Sequence, residues 1–320
     1  MSGYRIVVFC AAVLLQGCLQ KEKLGDLPEA ENQVVTDSGR HFVSSGTGLM
    51  EVISTGEQWQ LKTVHAACDE YNGLVSSGQW LLAICADGAL VQPRHQLIAG
   101  RLHEDGQTIQ WQSVYDFNDM TLPNGMALGQ DGRSLYVADY VLLGWGKLAK
   151  YHVSFDDERV WVSLDQLDFL DRDQGVYSPN GVRWSDGALY LTDFDWSSLT
   201  SRVLKITLDT EGEFVAFTTL YEKATILDDL LPTCGGVLVG DFLNGRLVFI
   251  NSLGEVHRSE YQAYPGISSI RWGQTPLFDA DTLVITERGI IQDTVSAIGN
   301  QVSLVHVSEE AMDRVGAECP

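Results

Sequence analysis

Two stretches of this chain carry the same pattern. Leu122-Pro123-Asn124-Gly125-Met126-Ala127 runs through Asp131-Gly132 to Leu135-Tyr136-Val137-Ala138-Asp139, and Ser178-Pro179-Asn180-Gly181-Val182-Arg183 runs through Asp186-Gly187 to Leu189-Tyr190-Leu191-Thr192-Asp193. Each is a pair of short apolar runs about an Asp-Gly dipeptide, the strongest short-range hairpin signal. Weaker copies start at Glu31, Asn72, Asp228 and Ser268, so the six starts are spaced by 41, 52, 56, 48 and 40 residues, about 47 on average. A β unit of that size cannot bury its apolar face alone and must stack on its neighbours. Six such units predict an all-β fold, a six-bladed β-propeller with each blade a four-stranded antiparallel sheet. Residues 31–320 are expected to form this one domain, because the repeat crosses the midpoint and no Pro/Ser-rich linker divides it. Strand-like runs between the hairpins (148–153, 160–164, 203–206, 214–220, 247–250, 302–307) supply the outer strands, and short helices are expected at 164–169 and 308–315.

The chain carries 43 Asp+Glu against 21 Lys+Arg, a formal charge of -22. That excess excludes a phosphate-backbone binder, which needs a cationic face. It suits hard cations, which take oxygen ligands.

The N-terminus reads as an address. Arg5 precedes an apolar run from Ile6 to Leu15, too short to span a bilayer but suited to a secretory signal. Leu15-Gln16-Gly17-Cys18 then resembles the lipobox of bacterial lipoproteins. The resemblance implies removal of residues 1–17, a lipid on Cys18 and a location in the bacterial cell envelope, on the periplasmic or outer-membrane face. Removing Arg5 takes the charge to -23, so membrane contact is expected only through the lipid. Residues 18–30 are expected to be the lipidated Cys and a polar tether, reaching at most about 43 Å. Cys68, Cys85, Cys234 and Cys319 remain for disulfides, with three connectivities open.

In a propeller the first strand of each blade lines the central channel. The repeat starts would therefore converge Glu31, Asn72, Asn124, Asn180 and the pair Asp228-Asp229. These are carboxylate and amide oxygens with no Cys or His among them, the chemistry of calcium. Glu70 is the rival to Glu31 as the first-blade acid. The PNG, DG and LY-x-x-D elements resemble the superfamily of gluconolactonase, regucalcin and the serum paraoxonase-type arylesterases. That resemblance implies a catalytic Ca²⁺ in the channel, held here by Glu31, Asn124, Asn180 and Asp228, with Asp229 where the paraoxonase branch has an amide. It also implies a hydrolase of lactones or esters, with phosphotriester hydrolysis as a side activity. The chain departs from the pattern in two ways. Asn72 stands where paraoxonases carry a His of a proposed base dyad, and Asn32 and Gly125 replace the acids of their second calcium site.

Asp228 or Asp229 would then be the catalytic carboxylate, able to deprotonate water or attack directly. Asn72, Trp145 and Trp196 are expected in the substrate pocket, with Tyr71, Tyr140, Phe194 and Phe242 as further wall candidates. The expected partner is a small lactone or ester, and the expected state a monomer. The alternative is a non-catalytic propeller anchored in the envelope as a binding or assembly platform, since the fold hosts many functions.

Overall fold

The computed structural model describes residues 19–56, 58–88, 94–103, 109–291 and 294–316. The signal segment, Cys18 and Cys319 lie outside the described residues. Among the described residues, 24 strands form six four-stranded antiparallel sheets. The first, β1 (Leu19–Asp26), belongs to the last blade. Blade 1 is β2 (Gln33–Val35), β3 (His41–Ser45), β4 (Gly48–Ser54) and β5 (Trp59–His65); blade 2 is β6 (Glu70–Ser77), β7 (Trp80–Asp87), β8 (Arg94–Leu102) and β9 (Ile109–Asp116). Blade 3 is β10 (Pro123–Leu128), β11 (Ser134–Asp139), β12 (Lys147–Phe155) and β13 (Val160–Leu170); blade 4 is β14 (Pro179–Ser185), β15 (Ala188–Asp195), β16 (Thr200–Leu208) and β17 (Phe214–Lys223). Blade 5 is β18 (Leu227–Thr233), β19 (Gly236–Asp241), β20 (Arg246–Asn251) and β21 (Val256–Arg258). Blade 6 is β22 (Ile267–Trp272), β23 (Thr282–Glu287) and β24 (Gln301–Val307), completed by β1 as its outermost strand. Helix α1 (Glu309–Val315) follows, capped by the Ser308 side chain. The six-bladed propeller expected from the repeat is the fold of the chain.

The core lies between blades rather than within them. Six apolar clusters occur among the described residues, one per blade interface. Val75, Leu82 and Ile84 meet Met126, Leu135 and Val137 between blades 2 and 3, and Phe42 and Leu49 meet Tyr71, Leu74 and Leu81 between blades 1 and 2. Because side chains alternate across a strand, a strand with buried neighbours on both faces must be apolar throughout. The second strands show this: Trp80–Ala86 is buried at every position.

Two expectations are corrected here. Residues 18–30 are not a free tether, because Leu19–Asp26 pairs antiparallel with β24 from Leu19↔Val307 to Asp26↔Gln301. Without β1 the edge of β24 would stand open, and closure by a strand from the other terminus removes that edge. Residues 164–169 are not helical either. They extend β13, with Gln166 opposite Lys150 and Leu170 opposite Leu148, and Phe169 and Leu170 join the core between blades 3 and 4. The helix expected at the C-terminal end is α1.

Candidate functional site

The innermost strands of blades 2 to 6 share one irregularity. Their register slips between Tyr71 and Leu74, Pro123 and Met126, Pro179 and Val182, Leu227 and Leu230, and Ile267 and Ser269. A bulge re-aims the unpaired residue, and the bulged positions hold Asn72, Asn124, Asn180, Asp228 and Ser268. The glycines beside three of them are required by close approach. A Cβ on Gly73 would lie 2.0 Å from the Asn124 carbonyl oxygen, on Gly125 2.3 Å from that of Asn180, and on Gly181 2.8 Å from the Asp229 Cα. The bulges of blades 2, 3 and 4 thus rest directly on the next blade, and Pro-Asn-Gly here is an inter-blade contact, not a tight turn.

The Asp that ends each LY-x-x-D run holds the approach to the bulge. Asp139 Oδ1 accepts from the Thr121 and Leu122 amides, both at 2.8 Å. Asp193 Oδ1 accepts from Tyr177 at 2.9 Å and Ser178 at 2.8 Å, while Arg202 binds its other oxygen. Asp241 accepts in the same place from the Thr225 hydroxyl.

Around the channel, Asn124 Nδ2 donates to Glu31 Oε1 at 3.3 Å. Arg288, just after β23, donates through Nη1 to Glu31 Oε2 and through Nη2 to Glu70 Oε1, both at 2.6 Å, and lies 3.7 Å from Glu29. The two rival first-blade acids therefore share one guanidinium. Asp228 is buried and, among the described residues, its carboxylate accepts no hydrogen bond. Burial, with the Glu31 and Asp229 charges beside it, raises its pKa well above the usual carboxylate range. Burial also raises Glu31, against the pull of Arg288. Among the described residues, the buried Asn180 Oδ1 has no hydrogen-bond partner.

Asp229 is placed differently. Its Oδ2 accepts from Arg183, from Ser269 at 2.6 Å and from Arg271 at 3.0 Å, and its Oδ1 from the Leu230 amide at 2.8 Å. Both oxygens have protein partners, as those of Glu31 do, but two guanidiniums hold Asp229 where one holds Glu31. Arg183 also reaches Asn32 Oδ1 at 3.3 Å. A guanidinium thus stands next to Asn32, a position where the paraoxonase pattern has a second-calcium acid. Asn72 is buried and donates to the Pro123 carbonyl at 3.1 Å.

Of the aromatic residues expected in a pocket wall, Tyr140, Trp196 and Phe194 pack together. Trp145 is exposed, against Tyr177 at 5.5 Å and beneath Arg172 at 4.4 Å. Trp196 is half-buried, donates to the Val141 carbonyl at 2.8 Å, and packs edge-on against Phe194. Tyr140 faces Trp196, and burial plus the Asp228 charge push its phenol up to about 12. Tyr71 is not in the wall. It lies fully buried between blades 1 and 2, 2.5 Å from His65 Nδ1.

Sequence reading missed the three arginines and His95, which is buried with Nε2 unpartnered and feels the Glu70 charge. Arg183 and Arg271 were findable, since each lies three residues after a repeat start; Arg288 and His95 sit outside the repeat motif and carry no local signal.

Five acids (Glu29, Glu31, Glu70, Asp228, Asp229) thus meet three guanidiniums (Arg183, Arg271, Arg288) along this part of the channel. Arg288 pairs with Glu31 and Glu70, and Arg183 and Arg271 pair with Asp229, while among the described residues Asp228 makes no ion pair and Asn180 Oδ1 has no hydrogen-bond partner. Buried charge without a partner is costly. The donor set fits a divalent, oxygen-seeking cation held by Glu31, Asn124, Asn180 and Asp228.

No family model matches the chain, and no curated protein matches it. Solved structures do. The PQQ-bound aldose sugar dehydrogenase of Streptomyces coelicolor superposes with a TM-score of 0.61 at 12% identity, over 91% of this chain and 98% of that one. An oxidoreductase described as a glucose dehydrogenase, from Thermus thermophilus, gives 0.63 at 14% identity over 90% and 99%. A protein provisionally named a gluconolactonase gives 0.58 at 16% identity over 91% and 92%. At these identities the likeness is one of fold: the chain shares the propeller architecture of sugar dehydrogenases and of a gluconolactonase-named protein.

Proposed function

We propose that this protein is a calcium-dependent hydrolase of lactones or esters. The observation that carries the reading is at the fourth and fifth blades: among the described residues, a buried Asn180 amide oxygen has no donor, and a buried Asp228 carboxylate accepts no hydrogen bond and makes no ion pair, though the Arg288 and Arg183 charges act on it. Glu31, Asn124, Asn180 and Asp228 would hold the ion, which when bound polarises a carbonyl or phosphoryl oxygen and stabilises developing negative charge. The chain's own part is defined by placement. Asp228 would take a proton from the water as the water oxygen bonds to the carbonyl carbon. The scissile C–O bond then breaks, and the leaving alkoxide takes that proton back from Asp228. Asp229 positions, through its neighbour, rather than reacts, because Arg183 and Arg271 hold it. Trp145, Trp196 and Tyr140 give an apolar wall for the substrate. The fold shared with enzymes, among them a gluconolactonase-named protein, supports an enzymatic reading.

The test is a panel of γ-lactone, aryl-ester and phosphotriester substrates with and without Ca²⁺, alongside thermal melts with and without chelator. Wild type should gain melting temperature with Ca²⁺ by mass action and turn over at least one substrate class. Asp228→Asn should lose both effects. Turnover in Asp228→Asn equal to wild type would sink the assignment. Metal binding without any turnover would select the binding platform. We also propose that residues 1–17 are removed and that Cys18 is lipidated in the envelope; the mass of the mature N-terminal peptide decides this.

A further inference from the structure

Blade 6 fixes the two ends of the propeller relative to the chain terminus. At one end, Ile267 pairs with Glu287, Glu287 with Gln301, and Gln301 with Asp26. That row lies at the start of the innermost strand, the same end as the bulges and Arg288, and so at the mouth of the proposed site. At the other end, Thr282 pairs with His306, His306 with Gln20, and Val307 with Leu19. Strand β1 therefore enters from the end away from the mouth and reaches the mouth only at Asp26. Its 8 residues at about 3.3 Å each separate the two ends by about 25 Å.

This matters because a lipid on Cys18 would sit one residue before β1. The tether that would have let the domain turn over is consumed by strand pairing. From its own anchor point the mouth cannot be brought down onto the bilayer. The exposed apolar residues follow the same division. Leu143, Leu199, Leu243 and Ile291 are exposed in the loops that join the second and third strands of blades 3 to 6, all at the mouth end. Leu253, between β20 and β21, is exposed at the other end. An apolar rim on the anchored side would have suggested entry into the leaflet; here the rim is on the far side.

We infer that the anchored protein stands with its lower end toward the membrane and its mouth open to the aqueous compartment, so that its ligand arrives from solution and not from the leaflet that holds the protein. The inference rests on the lipid anchor proposed above, and its test does not depend on turnover. Full-length lipidated protein carrying Leu143→Cys or Leu253→Cys would be labelled with an environment-sensitive fluorophore under non-reducing conditions and reconstituted in phosphatidylcholine vesicles. The label at position 253 should be quenched severalfold more by a lipid-phase quencher than the label at 143, and iodide should show the reverse order. Stronger lipid quenching at 143, or equal quenching at both, overturns the orientation. An unacylated N-terminal peptide overturns the anchor and the orientation with it. Loss of hydrolysis with the expected quenching pattern leaves the orientation standing and removes only the hydrolase reading.

Discussion

Asp228 shows why a carboxylate proposed to hold a cation can be a structural burden. It is buried beside Glu31 and Asp229 with no hydrogen bond, and its burial outweighs the opposing Arg288 and Arg183 charges, so its ionised form destabilises the metal-free fold. Asp228→Asn should therefore raise the melting temperature in chelator, by about 1–3 kcal/mol of stability, while abolishing the calcium-induced rise. A purely structural Asp228 would give the opposite sign, and melts in chelator distinguish the two. His41 makes a different case. Its Nε2 meets Gln33 Oε1 at 2.8 Å, its Nδ1 is buried without a partner, and burial lowers its pKa from 6.5 to about 3. The folded state thus binds the proton less well than the unfolded chain. Stability from the neutral ring is complete above about pH 6.5 and is lost as pH falls toward 3. Urea unfolding from pH 7 to 4 should show that decline, and His41→Gln should flatten it. Gly125 was readable as part of a motif but not as a contact. Gly125→Ala would place a methyl 2.3 Å from the Asn180 carbonyl, and equilibrium unfolding should show a loss of about 1–3 kcal/mol or more.

At the scale of strands, the Asp-Gly hairpins were legible because turn chemistry is local. The bulges were not, because a bulge is defined by the partner strand. Residues 164–169 carry apolar spacing that a short helix would also satisfy; pairing with β12 decided for strand. Strand β1 was hidden for a similar reason, since LQKEKLGD is polar and its partner lies almost the whole chain away. Removing residues 19–26 should leave β24 unpaired, lower the melting temperature sharply and promote association, visible by size-exclusion chromatography. The Cys68–Cys85 disulfide closes a loop of sequence separation 17 and ties the approach to Glu70 onto the end of β7. Replacing both cysteines by Ser should cost about 3 kcal/mol in denaturant unfolding. Cys234 is also disulfide-bonded; spacing alone left disulfides and buried thiols equally open for these cysteines, and their pairing was not legible.

For the whole molecule, the excess of acids has two parts. A few line the channel, where arginines answer some of them and a divalent cation would answer the rest. The others decorate the exterior, favouring solubility. The amino-acid sequence by itself determined the repeat, the six blades and the inner positions where Asn124, Asn180 and Asp228 would meet. These follow from local turn chemistry and a regular interval, and stacking leaves such units one way to bury their faces. Tertiary structure alone decided which carboxylates are free and which are spoken for. It gave Asp229 to Arg183 and Arg271, set Arg288 between Glu31 and Glu70, moved Tyr71 into the core and made residues 19–26 the closing strand. Those outcomes depend on distances between residues far apart in the chain, and charge pairing and strand pairing are settled by what lies within a few ångströms in space.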